Sequence, residues 1–152
     1  MEYRFAAESD IELVLRSRMD TLRAVNGLEE SYRFSRDFQE TSRLYFLNGD
    51  QDTVLALDGN RVIGCASMCY IRMMPTFSHP TGKRAHLMNV YTDPARRREG
   101  IAAKMVSMLI EKAWSKGATE ISLDATEAGR PLYRKLGFRD SREYMVLEKQ
   151  QV

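Results

Sequence analysis

The sequence predicts an α/β protein: a mixed, mostly antiparallel sheet with helices on both faces. Three observations carry that expectation. Short runs of apolar and β-branched residues, bounded by glycine, asparagine and aspartate, have the length and punctuation of strands. Two longer stretches, 11–25 and 101–116, instead repeat apolar residues at spacings of three and four, the period of an amphipathic helix. The second of these lies between two strands, and a helical crossover of that kind joins parallel neighbours, so one parallel step is expected in the sheet. A length of 152 residues suits one core, hence a single domain over 1–152.

Taken in order, Tyr3-Arg4-Phe5-Ala6 reads as a first strand. Ser9-Asp10-Ile11-Glu12 has the form of a capping box, serine followed three residues later by glutamate. Ile11, Val14, Leu15, Arg18, Leu22 and Val25 then form a helical stripe that Asn26-Gly27 ends. A second helix is predicted from about Ser35 to Leu47, with Phe34, Phe38, Thr41 and Tyr45 on one side. Thr53–Leu57 and Arg61–Arg72 are strands joined by Asp58-Gly59-Asn60, a strong hairpin signal. Met73 to Arg84 is a long irregular stretch of the kind that serves a site; its Met73, Met74 and Phe77 either face a substrate or pack the loop down. Leu87–Thr92 is a strand, 101–116 the long helix stopped by Gly117, and Glu120–Thr126 a strand by alternation. Pro131 suits the first turn of a short helix that Gly137 terminates, and Phe138 onward, with Tyr144 to Glu148, supplies the last strand or two.

Composition excludes several classes. Apolar residues at 43% and charged residues at 29% suit a globular protein rather than a disordered one. A net charge of +2, with lysine and arginine scattered along the chain, argues against a nucleic-acid partner. The start, Met1-Glu2-Tyr3-Arg4-Phe5, lacks the apolar core of a signal peptide, and the longest nearly apolar run, Val62 to Ile71, is about half a membrane span. No membrane partner is expected. Cys65 and Cys69 on one strand would sit about 13 Å apart, too far for a disulfide, which favours a cytoplasmic setting. These cysteines with His79 and His86 lack the short Cys-x-x-Cys knuckle of a zinc site, so no metal is expected.

The most informative stretch is Pro94-Ala95-Arg96-Arg97-Arg98-Glu99-Gly100-Ile101-Ala102, lying between a strand and the long helix. The first turn of a helix carries N–H groups without intrahelical partners, and its dipole favours negative charge. A glycine there lets an anion approach the backbone, and Arg97 and Arg98 match phosphate oxygens. A pyrophosphate would fit; so, on this segment alone, would an ordinary turn into a surface helix with its arginines in solvent.

The spacing Arg97-x-x-Gly100-x-Ala102 after a strand resembles the acyl-CoA loop of the GCN5-related N-acetyltransferases. Leu132-Tyr133-Arg134-Lys135-Leu136-Gly137-Phe138 is similar to that family's late Leu-Tyr-x-x-x-Gly-Phe helix. The two motifs stand in the right order, and the close resemblance runs from Leu87 to Phe138. It implies acetyl-CoA as co-substrate, bound through Arg97, Arg98, Glu99, Gly100, Ile101 and Ala102. The strand edge at Val90, Tyr91 and Thr92 would take the pantetheine, with an N–H near Val90 donating to the thioester oxygen. It also implies splayed strands around the long helix, and transfer to a primary amine by direct attack in a ternary complex. Tyr133 would be the acid for the departing thiolate, since a phenol of pKa about 10 stays protonated at neutral pH.

An alkylamine acceptor must lose a proton before it attacks. Asp124 and His86 are candidates to take it, as are Glu29 and Glu30 in the connection 26–33, which in this family walls the acceptor site; a water relay is another route. Two departures stand out. Thr126 replaces the usual asparagine, which commonly touches the pantetheine, and Gly129 replaces alanine. The acceptor would be a small-molecule or peptide amine, with pairing into a homodimer compatible with the family. A regulatory acyl-CoA-binding domain without turnover is the alternative, and Tyr133 argues against it.

Overall fold

Five strands hydrogen-bond side by side in chain order: β1 (Glu2–Phe5), β2 (Gln51–Asp58), β3 (Arg61–Arg72), β4 (Lys83–Thr92) and β5 (Ile121–Leu123). This computed structural model describes residues 1–141 and 143–150. Every neighbouring pair is antiparallel except β4 and β5, which run parallel, as the helical crossover between them requires. The helices are α1 (Ile11–Val25), α2 (Arg36–Asn48), α3 (Ile101–Ser115), which makes that crossover, and α4 (Arg130–Lys135). The expected mixed, mostly antiparallel sheet with its one parallel step is therefore present.

Two apolar layers enclose the sheet. On one face, Val54, Ala56, Ala66, Met68 and Leu87 meet Ile101, Met105, Val106 and Leu109 of α3, all buried. Period-two alternation sends Leu55, Leu57 and Cys65 to the other face, where Val14 of α1 covers them. A buried Leu or Ile contributes about 1.5–3 kcal/mol, so the α3 layer is the main source of stability. Polar groups inside the α1 layer are satisfied locally: Thr53 and Ser67 hydroxyls pair at 2.7 Å, and Thr21 donates to the Ser17 carbonyl at 2.8 Å.

Several boundaries differ from the sequence reading. The box predicted at Ser9 and Glu12 does not form. A single helical turn over Glu8–Asp10 precedes α1 instead, and Asp10 accepts from the Ala7 N–H at 2.7 Å and from both guanidinium nitrogens of Arg4. Glu12 is left to pair with Arg43 of α2. On α1 the buried residues are Val14, Leu15, Ser17, Met19 and Thr21, while Val25 is exposed. Strand β4 starts at Lys83, which shortens the preceding loop, and β5 stops at Leu123. That loop does not bury its apolar side chains: Met74 and Phe77 are exposed, while Thr81 and His79 tie it to Gly117 and Thr119. Among the described residues no strand follows α4. Tyr144 to Leu147 are exposed, and the three residues of β5 offer little edge to pair with.

The Arg4 pair holds the Asp10 carboxyl below the ordinary carboxylate value. A carboxyl depressed in the folded state stabilises above its unfolded pKa of about 4, and that contribution is lost as pH falls through the folded value. Asp10→Asn is predicted to cost about 1 kcal/mol at pH 7 and almost nothing near pH 2, read as the difference in urea midpoints. An equal loss at both pH values would contradict this role.

Candidate active site

The site begins where β4 outlasts its neighbour. Among the described residues, strand β5 pairs only with Ala85, His86 and Leu87, so Met88 to Thr92, about 16 Å of strand, present an outer edge without a ladder partner there. On the inner side β3 pairs Ser67 with Met88 and Cys65 with Tyr91, leaving Asn89 and Val90 opposite Ala66 alone. That two-against-one count is a β-bulge. Its first residue, Asn89, sits at φ 62°, a left-handed conformation that asparagine tolerates better than most side chains.

The bulge turns a peptide. The Asn89 carbonyl accepts from the Cys65 thiol of β3 at 3.4 Å. Carbonyl and N–H point opposite ways across a trans peptide, so the Val90 N–H points away from the Cys65 thiol and the α1 layer in which it lies. The Asn89 side chain stays on the α1 face, where its amide donates to the Ser67 hydroxyl at 3.1 Å and its oxygen accepts from Arg18 of α1 at 3.2 Å.

Beyond β4, a turn over Pro94–Arg96 leads into the basic loop. The structure sorts the arginine triplet. Arg96 is structural, clamped by Glu99 at 2.9 Å and Asp58 at 2.8 Å, which ties the loop to the β2–β3 hairpin. Arg97 and Arg98 are exposed and meet no carboxylate among the described residues. Arg98 and Gly100 both have positive φ, 68° and 77°. A Cβ on Gly100 would meet no protein atom within 4 Å, so space is open in front of its backbone. Between Arg97 and Gly100 no backbone N–H donates to a protein carbonyl among the described residues, and the first turn of α3, including Ile101 and Ala102, adds the free donors of any helix start. Together with the unpaired β4 edge, this donor set fits a diphosphate followed by an amide-bearing arm.

Tyr133 of α4 lies half-buried, its ring edge-on to Phe138 at 5.8 Å. Burial raises its pKa above the ordinary phenol value. Tyr133, Val90 and Leu123 all pack against the α3 core cluster, so the structure gathers them on that side of the sheet. Gly129 explains one departure from the family pattern: a Cβ there would approach the Tyr133 ring at 3.0 Å and the Thr126 hydroxyl at 3.3 Å. The Thr126 hydroxyl accepts from the Gly129 N–H at 3.2 Å, so part of its bonding capacity holds the start of α4.

On the α1 face, His86 and Asp124 come together. His86 Nδ1 lies 2.8 Å from Ser122 Oγ, and Nε2 lies 3.5 Å from the exposed Asp124 carboxylate. Glu29 and Glu30 are exposed on the connection 26–33, which Arg23 pins by donating to the Tyr32 carbonyl at 2.8 Å. Sequence reasoning missed Asn89 and Arg18. Each left a signal: an asparagine inside a β-branched run, and an arginine inside an apolar helical stripe.

Comparison with known proteins agrees with this geometry. The family described as acetyltransferase (GNAT) matches residues 18–138. A Clostridium acetobutylicum protein crystallised with acetyl-CoA and described as a predicted acetyltransferase superposes with a TM-score of 0.83 at 30% identity, covering 97% of this chain and 95% of that one. A glucosamine 6-phosphate N-acetyltransferase of Trypanosoma brucei brucei is 33% identical over 88 residues, 58% of each chain. A thialysine N-epsilon-acetyltransferase of Sus scrofa is 33% identical over 70 residues, 44% of this chain and 41% of that protein. The chain thus spans less than two thirds of the length of these two relatives. The match over most of its length places it in an acyltransferase class, and the chain belongs to the acetyltransferase (GNAT) family.

The bulge gives a stability prediction. Asn89→Val puts a β-branched residue at positive φ and removes two hydrogen bonds, for an expected loss of about 2–3 kcal/mol. Asn89→Gly keeps the backbone conformation and should lose about half as much. Equal losses in urea melts would mean that the backbone conformation contributes nothing.

Proposed function

We propose that the chain transfers an acetyl group from acetyl-CoA to a primary amine on a small molecule or peptide, by direct attack in a ternary complex. The observation that carries this reading is the unpaired edge of β4, bulged at Asn89, running into the donor-rich start of α3. Family membership, and the acetyl-CoA crystallised with a similar protein, support the choice of co-substrate.

Acetyl-CoA supplies the activated thioester carbonyl. Arg97 and Arg98, with the N–H groups from Glu99 to Ala102, hold its pyrophosphate. Backbone groups of Val90, Tyr91 and Thr92 bond the pantetheine amides as an added strand would. The Val90 N–H, turned by the bulge, donates to the thioester oxygen as negative charge develops there. Thr126 keeps its hydroxyl hydrogen free for the pantetheine while its oxygen caps α4.

Proton movement is divided between the two faces of the sheet. Tyr133, kept protonated by its burial, donates to the departing thiolate on the α3 side. His86 takes the proton of the incoming amine on the α1 side, directly or through water. Ser122 fixes the ring, and Asp124 stabilises the imidazolium that forms. The amino sugar and lysine-derivative acceptors named for the relatives belong to the same chemical class, primary amines beside polar groups.

Calorimetric titration with acetyl-CoA, with ATP as control, tests the donor site, and thiol release with amines tests transfer. Binding of acetyl-CoA much tighter than ATP is expected; equal affinities would reduce the loop to a phosphate site. Tyr133→Phe should cut turnover by about 10²-fold with acetyl-CoA affinity retained, and unchanged turnover would remove Tyr133 from the mechanism. Gly100→Val should weaken acetyl-CoA binding by about 10-fold or more, through a strained positive φ and a side chain in the space now open. Undiminished affinity would move the pyrophosphate elsewhere.

A further inference from the structure

Arg18 lies on α1, half-buried, at the edge of the helix face that packs on the sheet. A guanidinium has five N–H donors, and among the described residues one protein hydrogen bond is made, to Asn89 Oδ1 at 3.2 Å. Other half-buried basic side chains are compensated: Arg43, Arg84 and Arg96 each hold a carboxylate, and Lys83 and Lys112 lie over aromatic rings. Among the described residues Arg18 meets neither a carboxylate nor a ring. Burial works against its charge, and a partly desolvated cation without a counter-ion costs stability.

Its position gives that cost a use. Arg18 reaches β4 at the bulge, on the same face as the His86–Asp124 pair, and Asn89 is three residues along the strand from His86. We infer that Arg18 anchors an anionic group, a carboxylate or a phosphate, carried by the amine acceptor. This assignment rests on the acetyl-transfer reading. The anion occupies the donors that Arg18 leaves free, and the amine at the other end of a short molecule lies between His86 and the bulged peptide of Val90. The bond from Arg18 to Asn89 places the anchor in direct contact with the residue that shapes that peptide.

The test compares amines with and without the anion: β-alanine against β-alaninamide, O-phosphoethanolamine against ethanolamine, and L-lysine against L-lysinamide. The intact enzyme is expected to favour the anionic member of at least one pair, and the pair that responds distinguishes carboxylate from phosphate. Arg18→Gln should lower kcat/KM for that member by about 10- to 100-fold, with little change for its neutral counterpart. Acetyl-CoA affinity by calorimetry should be unchanged. A purely structural Arg18, acting through Asn89 alone, would lower both members alike, which overturns the assignment. So would an intact enzyme that favours the neutral amines, a result that needs no variant to fold. Inorganic phosphate offers a second readout: it should inhibit in competition with the anionic amine, and this inhibition should vanish in Arg18→Gln. Turnover of neutral amines alone sinks the Arg18 assignment and leaves acetyl transfer standing. Failure of every amine with acetyl-CoA bound sinks acetyl transfer, and the anchor falls with it.

Discussion

The left-handed turn at Asn89 is the constraint on which the site depends. It places two residues of β4 against one of β3, and so rotates the Asn89–Val90 peptide out of the ladder. An unbulged strand would pair residue for residue with β3, with no peptide turned out of the ladder. The turn is held by side-chain bonds from Asn89 to Ser67 and from Arg18 to Asn89, with Ser67 in turn paired to Thr53. A small hydrogen-bonded network beneath the sheet therefore fixes the backbone above it. Asn89, Ser67 and Thr53 each have a partner in it, while Arg18 commits one of its five donors.

In the proposed reaction, the two tasks fall to the two faces of one sheet. Alternation along β4, shifted by one residue at the bulge, sends Ala85, Leu87 and Val90 towards α3, and His86 and Asn89 towards α1. The basic loop and Tyr133 belong to the α3 side, where an unpaired helix start supplies donors without any rearrangement. The His86–Asp124 pair and Arg18 belong to the other. A thioester carried in along the strand edge and an amine approaching from the α1 face would meet only at the gap left by short β5. The arginine triplet follows the same economy: Arg96 holds the loop to the hairpin, which leaves Arg97 and Arg98 free to face solvent.

Much of this was legible in the sequence because it rests on local rules. Asp58-Gly59-Asn60 closes a hairpin since Gly59 accepts a positive φ. The periodic stripe of 101–116 yields α3, and Gly100 marks its start. Elements that depend on distant partners were read less well. Ser9 and Glu12 satisfy the pattern of a capping box, yet Asp10 is captured by Arg4 and Glu12 by Arg43, a contest that spacing cannot foresee. The alternation of Glu120–Thr126 suggested seven residues of strand, whereas only Ile121–Leu123 find a ladder on β4. The stripe on α1 included Val25, which lies beyond the reach of the sheet and is exposed.

What the sequence determined by itself was the order of elements from β1 to α4, the parallel crossover and the glycine-marked start of α3, because periodicity and turn propensity act over a few residues. What only the tertiary structure decided was the gap between β4 and β5, the bulge at Asn89, the meeting of His86 with Asp124, and the sorting of Arg96 from Arg97 and Arg98. Each of these is a relation between segments far apart in the chain. A bulge exists only relative to the register of β3. A pair 38 residues apart, such as Arg96 and Asp58, acquires a distance only when the sheet has formed.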